Sequence, residues 1–223
     1  MATVAAPRKP ESVPERPETL ADLLRRLGNI PARRVRLQPA PGTATERDVL
    51  LNNESKLKTA ICELVDGTLV EKPMGWEESA IAGLIIHFLV GFTKPRKLGT
   101  VLGADGMLRL VPGLVRVPDV SFLARGKLTR YQRGGLRIPS VAADLAVEVI
   151  SRSNTKAEIV RKIDEYFAAG TRLVWVVDPK TKTVRVHTAP RDPVILGVGD
   201  VLDGGDVLPR LRIPVRDLFE LGE

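Results

Sequence analysis

The sequence predicts an α/β domain: a mixed central β-sheet flanked by α-helices, with additional β-hairpins. Three observations predict it. Leu145 to Ile150 is a nearly unbroken apolar run, as in a strand buried on both faces, and a helical pattern to Ala169 leads into a second apolar strand, Leu173 to Val177. Strand, helix and strand at this spacing form a βαβ crossover, so part of the sheet must be parallel. Finally, 223 residues that are 43% hydrophobic and 27% charged can build one substantial core without disulfide or metal staples.

Residues 1–43 hold seven of the 17 prolines and read as a loosely ordered, basic N-terminal arm in which only Thr19 to Leu27 is patterned as a helix. The domain proper is expected over 44–223. Thr43 or Thr45 can cap a helix carrying the stripe Val49, Leu50, Leu57 and Ile61. Cys62 to Lys72 reads as a hairpin turning at Asp66-Gly67, a dipeptide that tolerates positive φ. Glu63 lies on its first arm. Glu77 to Phe92 aligns Ile81, Leu84, Ile85, Phe88, Leu89 and Phe92 on one face of a core helix, with His87 outward and given no role. Gly99 to Leu102, Met107 to Val111 and Leu114 to Ala124 read as a meander separated by Asp105-Gly106 and Pro112-Gly113. Asn154 or Thr155 caps the crossover helix, which places Ile159, Ile163, Tyr166 and Phe167 inward and stops at Gly170. Lys182 to His187 returns as a hairpin partner of Leu173 to Val177, and the remainder reads as loops with a short closing helix at Leu218-Phe219.

Composition excludes several chemistries. Two histidines and the single Cys62 leave no zinc finger, no HExxH metalloprotease and no cysteine-ligated iron cluster, and no P-loop or GxSxG elbow is present. The longest apolar stretch, Ala80 to Phe92, is too short to span a bilayer, so no membrane partner is expected. The first residues hold no apolar signal region, and a lone cysteine suits a reducing, cytoplasmic setting. A net charge of +7, from 34 Lys and Arg against 27 Asp and Glu, favours a polyanionic partner.

Three residues carry the candidate chemistry. Asp119 follows Pro118 in a strand run, Glu148 interrupts the apolar strand, and Lys162 lies on the helix that follows. A carboxylate on a buried strand is costly unless paired or metal-bound. If the two acids converge, a proton, a basic neighbour or a cation must relieve their repulsion, and hard oxygen ligands select Mg²⁺ or Mn²⁺. Three plainer readings stay open at this point: Lys162 pairs with Glu158 one helical turn away, Asp119 is a strand-end residue binding backbone amides, or Glu148 forms an internal ion pair with Lys162 or an arginine. Between Asp119 and Asp144 there is no acidic residue, and Arg125, Lys127, Arg130, Arg133 and Arg137 gather around Tyr131. Such a loop suits phosphate-backbone contacts with DNA.

RVPDVSFL, followed by DLAVEVISRSNTKAEIVRKIDEYFAAGTRLVWVVDP, resembles the Uma-two family of restriction-endonuclease-like proteins, a branch of the PD-(D/E)XK nuclease superfamily. ELVDG at Glu63 to Gly67, GADGML at Gly103 to Leu108 and the closing LPRLRIPVRDLF match as well, so the resemblance spans roughly Thr45 to Phe219. It implies a restriction endonuclease-like core and metal-dependent hydrolysis of DNA phosphodiesters. Asp119 would match the PD aspartate and Glu148 the second acidic metal ligand, with the Val149 carbonyl a third. Glu63, the hairpin glutamate, would be an outer ligand or position the attacking water. The superfamily pattern asks for lysine two residues after the second acid, where this chain has Ile150. The matching lysine is Lys162 on the helix. The alternative is a noncatalytic nucleic-acid-binding module with a degenerate nuclease site. The resemblance also allows a homodimer, although no heptad or exposed apolar helix announces an interface.

Overall fold

The computed structural model describes residues 19–56, 60–73, 75–128 and 137–220. Helix α1 (Leu20–Arg26) is capped by Thr19, and α2 (Glu46–Glu54) by Thr45, whose backbone N–H donates to the Asp48 carboxylate at 2.8 Å. The hairpin β1 (Cys62–Val65) and β2 (Thr68–Glu71) turns where Asp66 and Gly67 both have positive φ. Helix α3 (Trp76–Thr93) follows, then β3 (Gly99–Leu102), β4 (Leu108–Val111), β5 (Leu114–Arg116), β6 (Val120–Ala124) and β7 (Leu145–Val149). Helix α4 (Lys156–Ala168) leads to β8 (Leu173–Asp178), β9 (Thr183–His187), β10 (Val194–Leu196), β11 (Val201–Gly204) and β12 (Leu208–Pro214).

Six strands form the main sheet in the order β10-β9-β8-β7-β6-β3, with β7 and β8 parallel across the α4 crossover and the other pairs antiparallel. Alternation sends Val147 and Val149 of β7 into one core with Ile81, Ile85 and Leu89 of α3, and sends Ala146 into another with Ile159, Ile163 and Tyr166 of α4. Glu148 has the parity of Ala146, so it faces the α4 layer. A smaller sheet, β2-β1-β5-β4, flanks the main one.

The structure corrects three expectations. The three runs between Gly99 and Ala124 are not a meander: β3 pairs with β6 in the large sheet, whereas β4 and β5 join the β1–β2 hairpin. The segment expected as closing loops contains β10 and an antiparallel β11–β12 hairpin before a short 3-10 turn, Val215–Leu218. Residues 19–43 do not behave as a loose arm. Leu23, Leu27, Ile30 and Val35 pack on Val65 and Val70, and buried Arg34 grips Glu158 through two hydrogen bonds at 2.6 and 2.9 Å while donating to the Glu71 carbonyl. Residues 1–18 lie outside the described residues. Among the described residues no helix is long and apolar enough to cross a membrane.

The Arg34–Glu158 pair fastens the N-terminal segment to α4. Burial favours the neutral form of Glu158, but its hydrogen bond from Arg34 and the Lys162 charge hold its pKa below the ordinary 4.5. A carboxyl with a lowered folded-state pKa contributes stability above its unfolded value, and that contribution fades as pH drops below about 4.5. Arg34→Met is therefore expected to cost about 3–5 kcal/mol at pH 7 in urea denaturation, because it strands a buried carboxylate. It should also flatten the acid limb of the stability curve.

Candidate active site

The site begins where β6 and β7 enter their pairing. Val120 stands opposite Val147, and the Asp119 backbone N–H donates to the Val147 carbonyl at 3.0 Å. The Asp119 carboxylate takes two partners: Oδ2 accepts from the Val149 N–H at 2.6 Å, and Oδ1 lies 2.9 Å from Nζ of Lys72. Lys72 follows β2 directly. In the hairpin register Glu63 opposes Val70, so Glu63 and Lys72 share a face of the hairpin.

Glu148 lies deeper. Its Oε2 accepts from Nζ of Lys162 at 3.0 Å, and its Oε1 accepts from the Tyr166 hydroxyl. Lys162 and Tyr166 lie one turn apart on α4, so a single helical face delivers both donors. Glu63 is fully buried. It accepts from Arg116 at 2.7 Å and from the Val117 N–H at 3.0 Å, and it lies 3.3 Å from Nζ of Lys162. Arg116 reaches on to Glu165 of α4. Three carboxylates, Asp119, Glu148 and Glu63, thus meet three cations, Lys72, Lys162 and Arg116.

The electrostatics assign these groups different protonation behaviour. Burial favours a neutral Glu63, yet Lys162, Arg116 and the Val117 N–H outweigh it and hold its pKa at about 2. Burial raises the Glu148 pKa; Lys162 opposes this, while the negative charges of Asp119 and Glu63 add to it. Lys162 is disfavoured as a cation by burial, but Glu148 and Glu63 more than compensate and raise its pKa. It is a fixed positive charge. Tyr166 is held in its neutral form by burial and by the neighbouring Glu148.

The four residues Asp119, Glu148, Lys162 and Glu63 are therefore brought together, with Asp119 at the open end. Lys162 pairs with Glu148 and Glu63, not with Glu158, which Arg34 engages. Asp119 lines a depression of about 270 Å³ against α3, and Lys72 lines an adjoining cleft of about 570 Å³. Glu63 has no exposure and stands behind Lys162, so any influence it has on the cleft runs through that lysine. Sequence reasoning missed Lys72 and Arg116. The hairpin parity shared with Glu63 was the available signal for Lys72.

The chain leaves β6 for the basic loop at Ala124, the end away from Asp119, about 17 Å along the strand. Lys127 pairs with Asp144 at 3.0 Å and Arg137, itself exposed, pairs with Glu54, while Arg125 is exposed. Arg130, Tyr131 and Arg133 lie outside the described residues.

Asp119 and Glu148 suit a hard divalent cation. Each of their four carboxylate oxygens accepts one bond among the described residues and keeps lone-pair capacity, and the Lys72 ammonium already stands on Asp119 as a cation. Among the described residues no three acidic, histidine or cysteine side chains converge as a cage, so the fit is to a two-carboxylate site. That is the kind Mg²⁺ uses when water and phosphate complete its shell. The Val149 peptide, fixed by Asp119, borders the same point.

Residues 55–216 match the model of the Uma2 family, described as "Putative restriction endonuclease". No curated protein matches. Solved structures do match, and among them is the crystal structure of "a putative nuclease belonging to DUF820" from Anabaena variabilis. It aligns with a TM-score of 0.65 at 21% identity, covering 72% of this chain and 90% of that one. At that identity the likeness establishes the fold, and it agrees with the mixed sheet and crossover described above.

Tyr166→Phe removes a buried donor to a carboxylate while keeping the ring's packing. A loss of about 1.5–3 kcal/mol is expected in urea denaturation. An unchanged midpoint would show that Glu148 does not depend on this hydroxyl.

Proposed function

The chain belongs to the Uma2 family, and from that premise we propose that it is a Mg²⁺- or Mn²⁺-dependent DNA endonuclease with a PD-(D/E)XK-type site formed by Asp119 and Glu148. One observation carries the reading: the Asp119 carboxylate, just ahead of β6, opens onto a cleft and accepts the backbone N–H of Val149, the residue next to Glu148 on β7. Asp119 and Glu148, with the Val149 carbonyl, would hold the ion. When bound, it would supply an activated water and charge stabilisation for the attacked phosphate.

The protein groups have separable tasks. Lys162, pinned between Glu148 and Glu63, keeps its proton and fixes the orientation of Glu148, which makes it a positioning residue in this reading. Glu63, itself fixed by Arg116, holds Lys162 in place. Lys72 is the lysine at the cleft, and once displaced from Asp119 its ammonium can meet a phosphate oxygen. Arg125 stays a candidate for remote backbone contacts. We take 44–223 as the nuclease domain, with residues 19–43 packed against it.

The noncatalytic binding module is favoured by one specific feature, the internal Glu148–Lys162 pair. The two readings separate in one experiment. With Mn²⁺ the purified chain is expected to cut single- or double-stranded DNA, and Asp119→Ala is expected to abolish both cutting and the heat of Mn²⁺ binding in calorimetry. DNA affinity indifferent to EDTA, with no Mn²⁺ heat from the wild-type chain, would establish the binding module instead.

Lys72→Met should dissociate the two roles of that lysine. Removing a competing ammonium beside Asp119 is expected to tighten Mn²⁺ binding by at least about tenfold, while cleavage falls. Unchanged Mn²⁺ affinity would mean that the ammonium does not compete with the ion.

A further inference from the structure

Helix α3 opens on an indole that has no place in the core. Trp76 is 78% exposed, whereas the chain's other tryptophan, Trp175, is fully buried. Gly75 caps the helix, and the Glu78 carboxylate occupies the space where a Cβ at Gly75 would stand, behind the turn that presents Trp76. Trp76 shares the cleft of about 570 Å³ with Lys72 and with two arginines from separate elements. Arg33 stands in the 3-10 turn anchored by Arg34, and Arg152 stands in the turn between β7 and α4. Both are exposed, and neither makes an ion pair or side-chain hydrogen bond among the described residues.

Size and chemistry together select the occupant. Ligand clefts of about 300–1,000 Å³ enclose small molecules, so this one accommodates a nucleotide or two and cannot enclose a duplex. An exposed aromatic face beside unpaired guanidiniums is the combination that binds single strands, where bases stack on the ring and phosphates meet the cations. Paired bases keep their faces inside the helix and offer only edges to a protein. Glu77 and Glu78 on the α3 rim repel phosphate, which leaves the Arg33 and Arg152 side for the backbone.

We infer that the cleft takes an unpaired DNA segment, one base stacked on Trp76 and its flanking phosphates on Arg33 and Arg152, so that the chain acts on single strands or strand ends. The inference rests on the phosphodiesterase reading above and names its substrate class. Trp76 and the arginines would lead the strand toward Asp119, in the depression next door that shares Pro73, Gly75 and Glu78 with this cleft.

The test uses the full chain in EDTA, so that nothing is cut. Titration with a short oligothymidylate is expected to quench the Trp76 emission and leave the buried Trp175 emission in place. Anisotropy of a labelled oligothymidylate is expected to show Trp76→Ala weakening binding by about 5- to 150-fold, the range of one lost base stack, with Trp76→Phe retaining most of the affinity. Arg33→Gln and Arg152→Gln should each lower the salt dependence of binding. An abasic strand of equal length that binds as tightly, or a blunt duplex that binds more tightly than the single strand, would overturn the inference. So would unchanged affinity in Trp76→Ala, even if the protein cuts DNA with Mn²⁺. Quenching with the predicted losses but no cleavage under Mn²⁺ would leave the inference standing and remove the nuclease reading alone.

Discussion

Lys162 joins three layers at one atom. Its ammonium touches Glu148 from the six-stranded sheet and Glu63 from the four-stranded sheet, and its backbone belongs to the helix of the crossover. Each partner is buried, so none can exchange this contact for water without exposing the core. Removing one member of such a set leaves its neighbours as uncompensated charges, a change that costs several kcal/mol, on the order of half the stability of a marginal domain. Arg116 extends the tie from Glu63 to Glu165, and Arg34 adds a second between the N-terminal segment and α4. The layers are therefore registered by ion pairs as well as by the apolar faces of α3 and α4.

That constraint sorts the charged groups by what they can do. Lys162 and Glu63 are driven further into their charged forms by each other and so make a fixed scaffold. Glu148 is pulled the other way by burial and by its acidic neighbours, and Tyr166 gives it a neutral donor. Asp119 is set apart from them. Its carboxylate reaches the cleft, so this is where a divalent ion or a phosphate can enter once Lys72, which is buried and also donates to the Ala104 carbonyl, gives way. A rigid charged interior with one open acidic end suits a site that must keep its geometry while exchanging ions.

Local features were legible in the sequence because their signals are local. The Asp66-Gly67 hairpin, the α3 stripe, the Thr155 cap and the parallel crossover all follow from periodicity and turn chemistry, and the cost of burying Glu148 singled it out. What the sequence did not disclose is mostly non-local pairing. Nothing in Gly99 to Leu102 says that it will pair with β6 while the runs between them join another sheet. Lys72 and Arg116 read as ordinary surface cations until the hairpin and β5 are set beside Asp119 and Glu63. The prolines of the N-terminal segment masked the spacing of Leu23, Leu27, Ile30 and Val35, which is that of a packed extension. In the C-terminal region the hairpin signal was present, with Leu202 opposite Ile213 and Val201 opposite Pro214 around Gly204-Gly205, but short polar-interrupted strands resemble loops.

The displaced lysine has a geometric reason in the strand itself. Position 150 shares its face with Ala146 and Glu148, and that face packs on α4. Ile150 packs at the edge of that apolar cluster, and its backbone N–H continues the pairing with Val177, so a lysine there would put a charge beside apolar neighbours. Delivering the ammonium from α4 reaches Glu148 from the same side without opening the core. The consequence is a lysine too enclosed to meet solvent, since Lys162 is 1% exposed. Lys72, arriving from the hairpin face that also carries Glu63, is nearly as enclosed at 5%, but it borders the cleft and contacts Asp119, so it is the ammonium that can serve there once it leaves that carboxylate.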